Sequence, residues 1–156
     1  MNWCYAILFA MRIYLDTCSV NRPLDDKSQP RIALEAEAVL AILDACEDGV
    51  HTLISSDILM FEVGRNPHIQ RRTLASEIIA NAGDVILLTE SIRQRAKVFE
   101  QAGLKSVDAL HLASADSGNV DYFCTCDDSF YKRAKARSDL RVRVFTPLEL
   151  AQELFV

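Results

Sequence analysis

Residues 105–130, KSVDALHLASADSGNVDYFCTCDDSF, decide the fold of this chain. The stretch predicts a helix beginning near Asp108, a glycine–asparagine break, and a short buried strand at residues 122–125. Two adjacent acids, Asp127 and Asp128, follow that strand directly. In open α/β sheets, ligands bind outside the carboxyl ends of the strands, so acids in this position are candidates for a functional site.

Asp108 and Asp127 also have a purely structural interpretation. Each stands where a helix is predicted to begin, and aspartate is a common N-cap. For either acid alone, the cap is the favoured interpretation. A functional site requires that further acids converge on the same point.

The composition restricts the class of protein. A chain of 156 residues with 50% hydrophobic content suits a single domain with a full core. Its 17 Lys and Arg against 22 Asp and Glu give a net charge of −5, so any contact with nucleic acid depends on a local patch. The five cysteines show neither a CxxC pair nor zinc-site spacing, which favours structural thiols in a reducing, cytoplasmic compartment.

An unbroken apolar run occupies residues 3–11. It is well short of the roughly 20 residues that span a bilayer, and it lacks the features of a signal peptide, so no membrane association is expected. Met11 stands directly before a compact strand. Residues 1–10 are therefore interpreted as a leader or a mis-called start before a domain at 11–156. The alternative is one longer strand or an interaction arm from residue 3 to residue 15.

Strands alternate with helices along the whole chain. The predicted strands lie at residues 12–16, 52–55, 85–88, 122–125 and 142–145. This alternation predicts a three-layer α/β/α domain with a parallel central sheet. The third strand is apolar throughout, which predicts burial on both of its faces.

Four acids occupy comparable places in this pattern. Asp16 ends the first strand, Glu62 lies on a short helix after the second, and Asp108 and Asp127 flank the fourth. If the first and fourth strands are neighbours, Asp16 and Asp127 meet at a topological switch point. Four carboxylates there would repel one another unless a cation intervened, and all-oxygen ligation selects Mg²⁺ or Mn²⁺. Such a cluster suits metal-assisted hydrolysis of a phosphodiester by water.

Other chemistries of α/β domains fit less well. A phosphoacceptor receiver domain needs an aspartate ending the third strand, where Leu88 and Thr89 stand. A haloacid-dehalogenase-type phosphatase needs a second acid where Cys18 stands. No glycine-rich phosphate loop is present. His111, one helical turn after Asp108, is a candidate ligand or base, but its apolar setting favours a packed, hydrogen-bonded histidine.

A run of basic residues follows the Asp127 turn. Lys132, Arg133 and Lys135 begin it and are candidate contacts to an RNA backbone. A solvated helix face is an equally good interpretation of this run. For the second basic group, which includes Arg93 and Lys97, the solvated face is preferred.

Four motifs together resemble those of the PIN-domain ribonucleases, in the family's order. They are MRIYLDTCSVN at residues 11–21, ISSDILMFEV at 54–63, SVDALHLASA at 106–115 and DYFCTCDDSF at 121–130. The resemblance extends over residues 11–154 and implies a five-stranded parallel sheet.

The resemblance also implies a site. Its Mg²⁺ or Mn²⁺ ligands would be Asp16, Glu62, Asp108 and Asp127. The hydroxyls of Thr17 and Thr125 would orient the carboxylates. Because the acid is doubled, the choice between Asp127 and Asp128 is open, and the family pattern favours Asp127.

A small domain of this kind looks most like the toxin half of a VapBC-type toxin–antitoxin pair. The resemblance implies a metal-dependent endoribonuclease with an RNA substrate and a cognate antitoxin protein as partner. A homodimer is also left open. The alternative is a non-catalytic PIN module that binds RNA or a partner protein and keeps the acids for folding.

Overall fold

The computed structural model describes residues 10–155, which form five strands and eight α-helices. The strands are β1 (Arg12–Leu15), β2 (Thr52–Ser56), β3 (Asp84–Ile86), β4 (Tyr122–Cys124) and β5 (Arg143–Phe145). The helices are α1 (Thr17–Asn21), α2 (Pro30–Glu47), α3 (Asp57–Gly64), α4 (Ile69–Ala80), α5 (Glu90–Gln101), α6 (Ser106–Ser117), α7 (Asp128–Lys135) and α8 (Pro147–Phe155). The predicted three-layer α/β/α fold with a five-stranded parallel sheet is confirmed.

The strand order is β3-β2-β1-β4-β5, and all four pairings are parallel. The chain leaves β1 toward one edge, crosses over after β3, and returns to build the other half from β4. The two halves meet where Leu15 pairs with Cys124. The predicted contact between the first and fourth strands is therefore correct, and it creates a switch point at their carboxyl ends.

The core is centred on β1 and β4. Ile13, Tyr14 and Leu15 are fully buried, which requires packing on both faces of the sheet. The Tyr14 ring stacks on Phe123 with centroids 5.2 Å apart, and Phe123 stacks on Phe130 at the same distance. Helices α2 and α8 pack on one another, as do α5 and α6.

The prediction that the third strand is buried on both faces is wrong. β3 lies at the edge of the sheet, where Val85 is 41% exposed and Leu87, just beyond the strand, is 66% exposed. Within β3 only Ile86 reaches the core, and Leu88 beyond the strand packs against the core while partly buried. An apolar run shows that a strand is compatible with burial, but the pairing order decides whether it is buried.

The segment after β1 is helical. α1 begins directly after Asp16, and a short 3₁₀ helix, Arg22–Leu24, follows. At the other end of β1, the predicted leader and the alternative of a longer strand depend on residues 1–9, which lie outside the described residues. None of the helices within residues 10–155 is both long and apolar enough to cross a membrane.

Glu35 of α2 is a buried acid. It is only 3% exposed and pairs with two arginines. Arg22 Nε lies 2.9 Å from its Oε2, and Arg31 Nε donates to its Oε1 at 2.8 Å. The Arg22 pair joins the 3₁₀ helix to α2, and the Arg31 pair lies within α2.

We expect Glu35→Ala to lower the melting temperature by about 4–8 °C. Arg22 keeps its pair with Asp25 but loses its buried partner, and the loss of one contact to a charged group costs about 2 kcal/mol. At this size, 1 kcal/mol shifts Tm by about 2–4 °C. Glu37→Ala, at an exposed position of the same helix, is the matched control and should shift it little. Equal melting curves for the two variants would contradict a structural role for Glu35.

Candidate active site

An open cleft of about 520 Å³ lies at the carboxyl ends of the strands. All four acids predicted from the sequence line it: Asp16, Glu62, Asp108 and Asp127. Thr17, Cys18 and His111 line it as well. The fold therefore brings together side chains that are up to 111 residues apart in the chain.

Asp16 is held by the start of α1. It is the N-cap of that helix, and its Oδ1 accepts from the Ser19 backbone N–H at 3.0 Å. The Cys18 thiol donates to the same oxygen at 3.0 Å. Sequence reasoning missed both contacts because it did not predict α1.

Glu62 is oriented from two sides. The Thr17 hydroxyl and His111 Nε2 both donate to its Oε1, the latter at 2.9 Å. Burial by itself would raise the pKa of Glu62, but the hydrogen bonds from His111 and Thr17 outweigh it and hold the pKa below the usual value. The predicted orienting role of Thr17 agrees with this contact.

His111 connects Glu62 to the core. It is 2% exposed, and its Nδ1 lies 2.6 Å from the Tyr14 hydroxyl, which in turn lies 2.7 Å from Ser56 Oγ. When the neutral His111 ring carries its proton on Nε2, Nδ1 accepts a hydrogen bond from the Tyr14 hydroxyl. The Tyr14 oxygen in turn accepts a hydrogen bond from the Ser56 hydroxyl. His111 is therefore a packed, hydrogen-bonded histidine that also orients an acid of the cleft. Sequence reasoning missed Tyr14 and Ser56, because their hydrogen-bond partners are distant in the chain.

Asp127 is the N-cap of α7, and its Oδ1 accepts from the Phe130 N–H at 3.0 Å. Asp127 therefore both caps α7 and lines the cleft. Thr125 is fully buried behind it, and its hydroxyl accepts from the Asp127 backbone N–H at 3.1 Å. Thr125 positions the backbone of Asp127 and not its carboxylate.

Asp108 differs from the other three acids. The expectation that it caps its helix is wrong: α6 begins at Ser106 after Lys105, so Asp108 lies in the first turn. Its carboxylate has no hydrogen-bond partner in the part of the chain that the structure describes. Burial raises the pKa of Asp108, and the negative charges of Asp127 and Asp16 raise it further.

Each of the four carboxylates has at least one oxygen without a hydrogen-bond partner among residues 10–155. In Asp16, Glu62 and Asp127, all protein hydrogen bonds go to one oxygen, so the second oxygen of each has no partner among residues 10–155. None of the four forms an ion pair with a described Lys or Arg. By contrast, Asp25 in the same cleft is paired with Arg22 and Arg71.

Comparison with known proteins identifies the family of the chain. The family model of the PIN domain matches residues 13–136, a span that includes all four acids. The chain belongs to the PIN domain family. Its fold is similar to a chain in the crystal structure of VapBC2 from Rickettsia felis bound to a DNA fragment from their promoter. That match has a TM-score of 0.58 and 14% sequence identity, and it covers 87% of this chain and 98% of the other. No curated protein matches.

The donor set of this PIN domain fits a hard divalent cation. Among residues 10–155, no three His, Cys, Asp or Glu side chains form a ready-made metal-binding group. This does not conflict with Mg²⁺, which keeps several waters and binds through one or two carboxylates together with substrate phosphates. Oriented carboxylates with a free oxygen each, in an open cleft, are such donors.

Asp128 lies outside the cleft of the PIN domain. Its carboxylate, 58% exposed, receives two hydrogen bonds from Arg31, at 2.9 and 2.7 Å. Of the two adjacent acids, only Asp127 lines the cleft. The preference of the family pattern for Asp127 as the metal ligand stays a prediction.

The predicted RNA contacts do not lie together. The Lys135 ammonium lies over the rings of Tyr131 and Phe145, at 5.5 and 5.2 Å, and Lys132 is exposed. Arg133 lines a smaller cavity together with Asp108 and Asp127. Sequence reasoning missed Arg65, which lines the main cleft and has no carboxylate partner among the described residues.

We expect Asp108→Asn to raise Tm in EDTA at pH 7, by about 2–4 °C at most. A partly exposed charge contributes up to about 1 kcal/mol, and 1 kcal/mol corresponds to about 2–4 °C. Because its folded-state pKa is raised, the Asp108 charge destabilises the folded state above that pKa. The advantage of asparagine should therefore shrink as the pH falls through the folded-state pKa and vanish below the ordinary value of 3.8.

Glu90→Gln is the control, since Glu90 also lies in the first turn of a helix, α5. It reports the lost interaction with the helix dipole and should give no gain in Tm. In excess Mn²⁺ the order should reverse, because wild type binds the ion more tightly. If Asp108→Asn melted below wild type in EDTA, Asp108 would be a structural residue and not part of a repelling cluster.

Proposed function

We propose that this PIN domain is a metal-dependent endoribonuclease that hydrolyses phosphodiester bonds of RNA. The observation that carries the proposal is the set of four carboxylates in one cleft, none of them in an ion pair with a described Lys or Arg. Some acids outside this set are neutralised by arginines, as Glu35 and Asp128 are. The four acids of the cleft are left charged and close together, which is typical of a site that receives a cation.

Asp16, Glu62, Asp108 and Asp127 would hold Mg²⁺ or Mn²⁺. The bound ion supplies a water of lowered pKa as nucleophile and neutralises charge on the phosphate. The chain's own residues provide the orientation. One oxygen of Asp16 and one of Asp127 are held by the Ser19 and Phe130 N–H groups, and one oxygen of Glu62 is held by Thr17 and His111. The second oxygen of each acid is therefore already oriented before an ion binds.

The RNA would lie across the open cleft, with basic side chains on its phosphates. Arg65 at the cleft and Arg133 beside Asp127 are the best-placed candidates, and Lys132 and Lys135 are more distant ones. The absence of a ready-made metal group among the described residues favours one alternative, a non-catalytic module that binds RNA or a protein. Cleavage of RNA by the purified protein distinguishes the nuclease from the non-catalytic module.

We expect Asp127→Asn to abolish RNA cleavage and Asp128→Asn to retain it. Asparagine caps a helix about as well as aspartate, so both variants should fold. Loss of a metal ligand should cost more than the 10–100-fold that residues behind ligands typically cost, whereas the exposed Asp128 pair contributes little. The measurement is cleavage of single-stranded RNA with Mn²⁺, and with EDTA as the blank.

Purified wild type that cleaves nothing with Mg²⁺ or Mn²⁺ would favour the non-catalytic module. Equal cleavage by Asp127→Asn and wild type, with contaminating nuclease excluded, would mean that the cleft does not hold the metal.

We further propose that the protein is the toxin of a toxin–antitoxin pair and acts in the cytoplasm. The four described cysteines, Cys18, Cys46, Cys124 and Cys126, are free, as a reducing compartment requires. The similar fold comes from the crystal structure of VapBC2 bound to a DNA fragment from their promoter, and together with the VapBC-type resemblance this supports a cognate antitoxin as partner here. An antitoxin arginine would pair with the free oxygens of the four acids, since guanidinium binds carboxylate bidentately.

Expression of wild type alone in bacteria should therefore stop growth, and Asp127→Asn should not. Co-purification from the native host should recover a small protein bound to wild type. Normal growth of cells that contain active, RNA-cleaving protein would contradict the toxin role while leaving the nuclease intact.

A further inference from the structure

We propose that the cavity between Lys105 and Arg133 binds a phosphodiester group of the RNA. This group is the neighbour, along the same strand, of the phosphodiester that is cleaved. The inference rests on the proposed nuclease function and adds a subsite to it. The ligand is an internal phosphate of single-stranded RNA.

The cavity adjoins the catalytic cleft. It measures about 90 Å³, against about 520 Å³ for the cleft, and Asp108 and Asp127 line both. Lys105, Ser129 and Arg133 line the rest of its polar surface. A strand that places one phosphate at these two carboxylates therefore passes the cavity with an adjacent phosphate.

The two cations are available for an anion. Neither Lys105 nor Arg133 forms an ion pair with a described carboxylate, although Asp108 and Asp127 line the same cavity. If their task were to neutralise these acids, contacts such as those between Arg31 and Asp128 would be expected. A cluster of free cations beside unpaired acids is suited to a ligand that brings both negative charge and a divalent ion.

Gly103 makes room for Arg133. A Cβ at this position would overlap Arg133 Nη1 and would lie 3.3 Å from Cζ. Its φ of +101° is also a backbone conformation that other residues rarely adopt. The guanidinium is thus packed over backbone at the cavity, where its planar fork can bind two phosphate oxygens, with Lys105 as a second positive charge and Ser129 as a hydroxyl donor.

The test is the affinity of a labelled single-stranded RNA oligonucleotide in EDTA, measured by fluorescence anisotropy at several salt concentrations. We expect the double variant Lys105→Ala/Arg133→Ala to bind about tenfold more weakly. The slope of log K against log salt should fall by about 0.7, the value for one phosphate contact on a single strand. Both side chains are exposed, so thermal melts should match wild type.

The control is Arg93→Ala/Lys97→Ala, which removes the same charge from two exposed cations of α5 that line neither cavity. It should bind RNA within twofold of wild type. An oligonucleotide with uncharged methylphosphonate linkages should bind the subsite variant and wild type equally.

Three outcomes would overturn the subsite. If wild type cleaves RNA but the subsite variant binds RNA as tightly as wild type does, the subsite proposal is wrong and the nuclease proposal stands. Equal losses in the subsite and control variants would show a general charge effect. Wild type that neither binds nor cleaves RNA removes both proposals. If wild type binds RNA through Lys105 and Arg133 but never cleaves it, the subsite proposal is supported and the nuclease proposal is overturned.

Discussion

The parallel pairing of β1 with β4 is the constraint on which the rest of the structure depends. Leu15 lies opposite Cys124, and the Asp16 N–H donates to the Cys124 carbonyl at 3.2 Å. Because the strands are parallel, both end at the same edge of the sheet. One residue beyond β1 and three beyond β4, the chain can therefore present Asp16 and Asp127 to one cleft. A slip of one residue in this pairing would turn the buried side chains of β1 to the wrong face.

The cleft keeps negative charge that the fold does not neutralise. Like charges held close raise the pKa of Asp108 and oppose folding in the absence of a cation. The fold limits this cost by giving three of the acids local donors. Helix N-termini serve Asp16 and Asp127, and His111 with Thr17 serves Glu62. The same donors orient the carboxylates, so stability and preorganisation come from the same hydrogen bonds.

Basic residues divide into two groups around this cleft. Arg22, Arg31 and Arg71 pair with carboxylates and hold the segments that surround the site. Arg65, Lys105 and Arg133 line the cavities, and none of them has a carboxylate partner among the described residues. In a chain with a net charge of −5, any contact with nucleic acid would depend on such locally unpaired cations.

The sequence by itself determined the fold class and the four acids, because strand alternation and acids at strand ends are local patterns, and because four motifs occurred in the PIN domain order. Only the tertiary structure decided which strand is an edge, that Glu35 is buried, that Asp127 and not Asp128 enters the cleft, and that Tyr14 supports His111. Except for Glu35, whose arginine partners are 4 and 13 residues away, these features depend on partners far away in the chain. His111 lies 97 residues from Tyr14, and Asp128 lies 97 residues from Arg31. Periodicity and composition describe a residue's neighbours in sequence, whereas burial, ion pairing and orientation are set by neighbours in space.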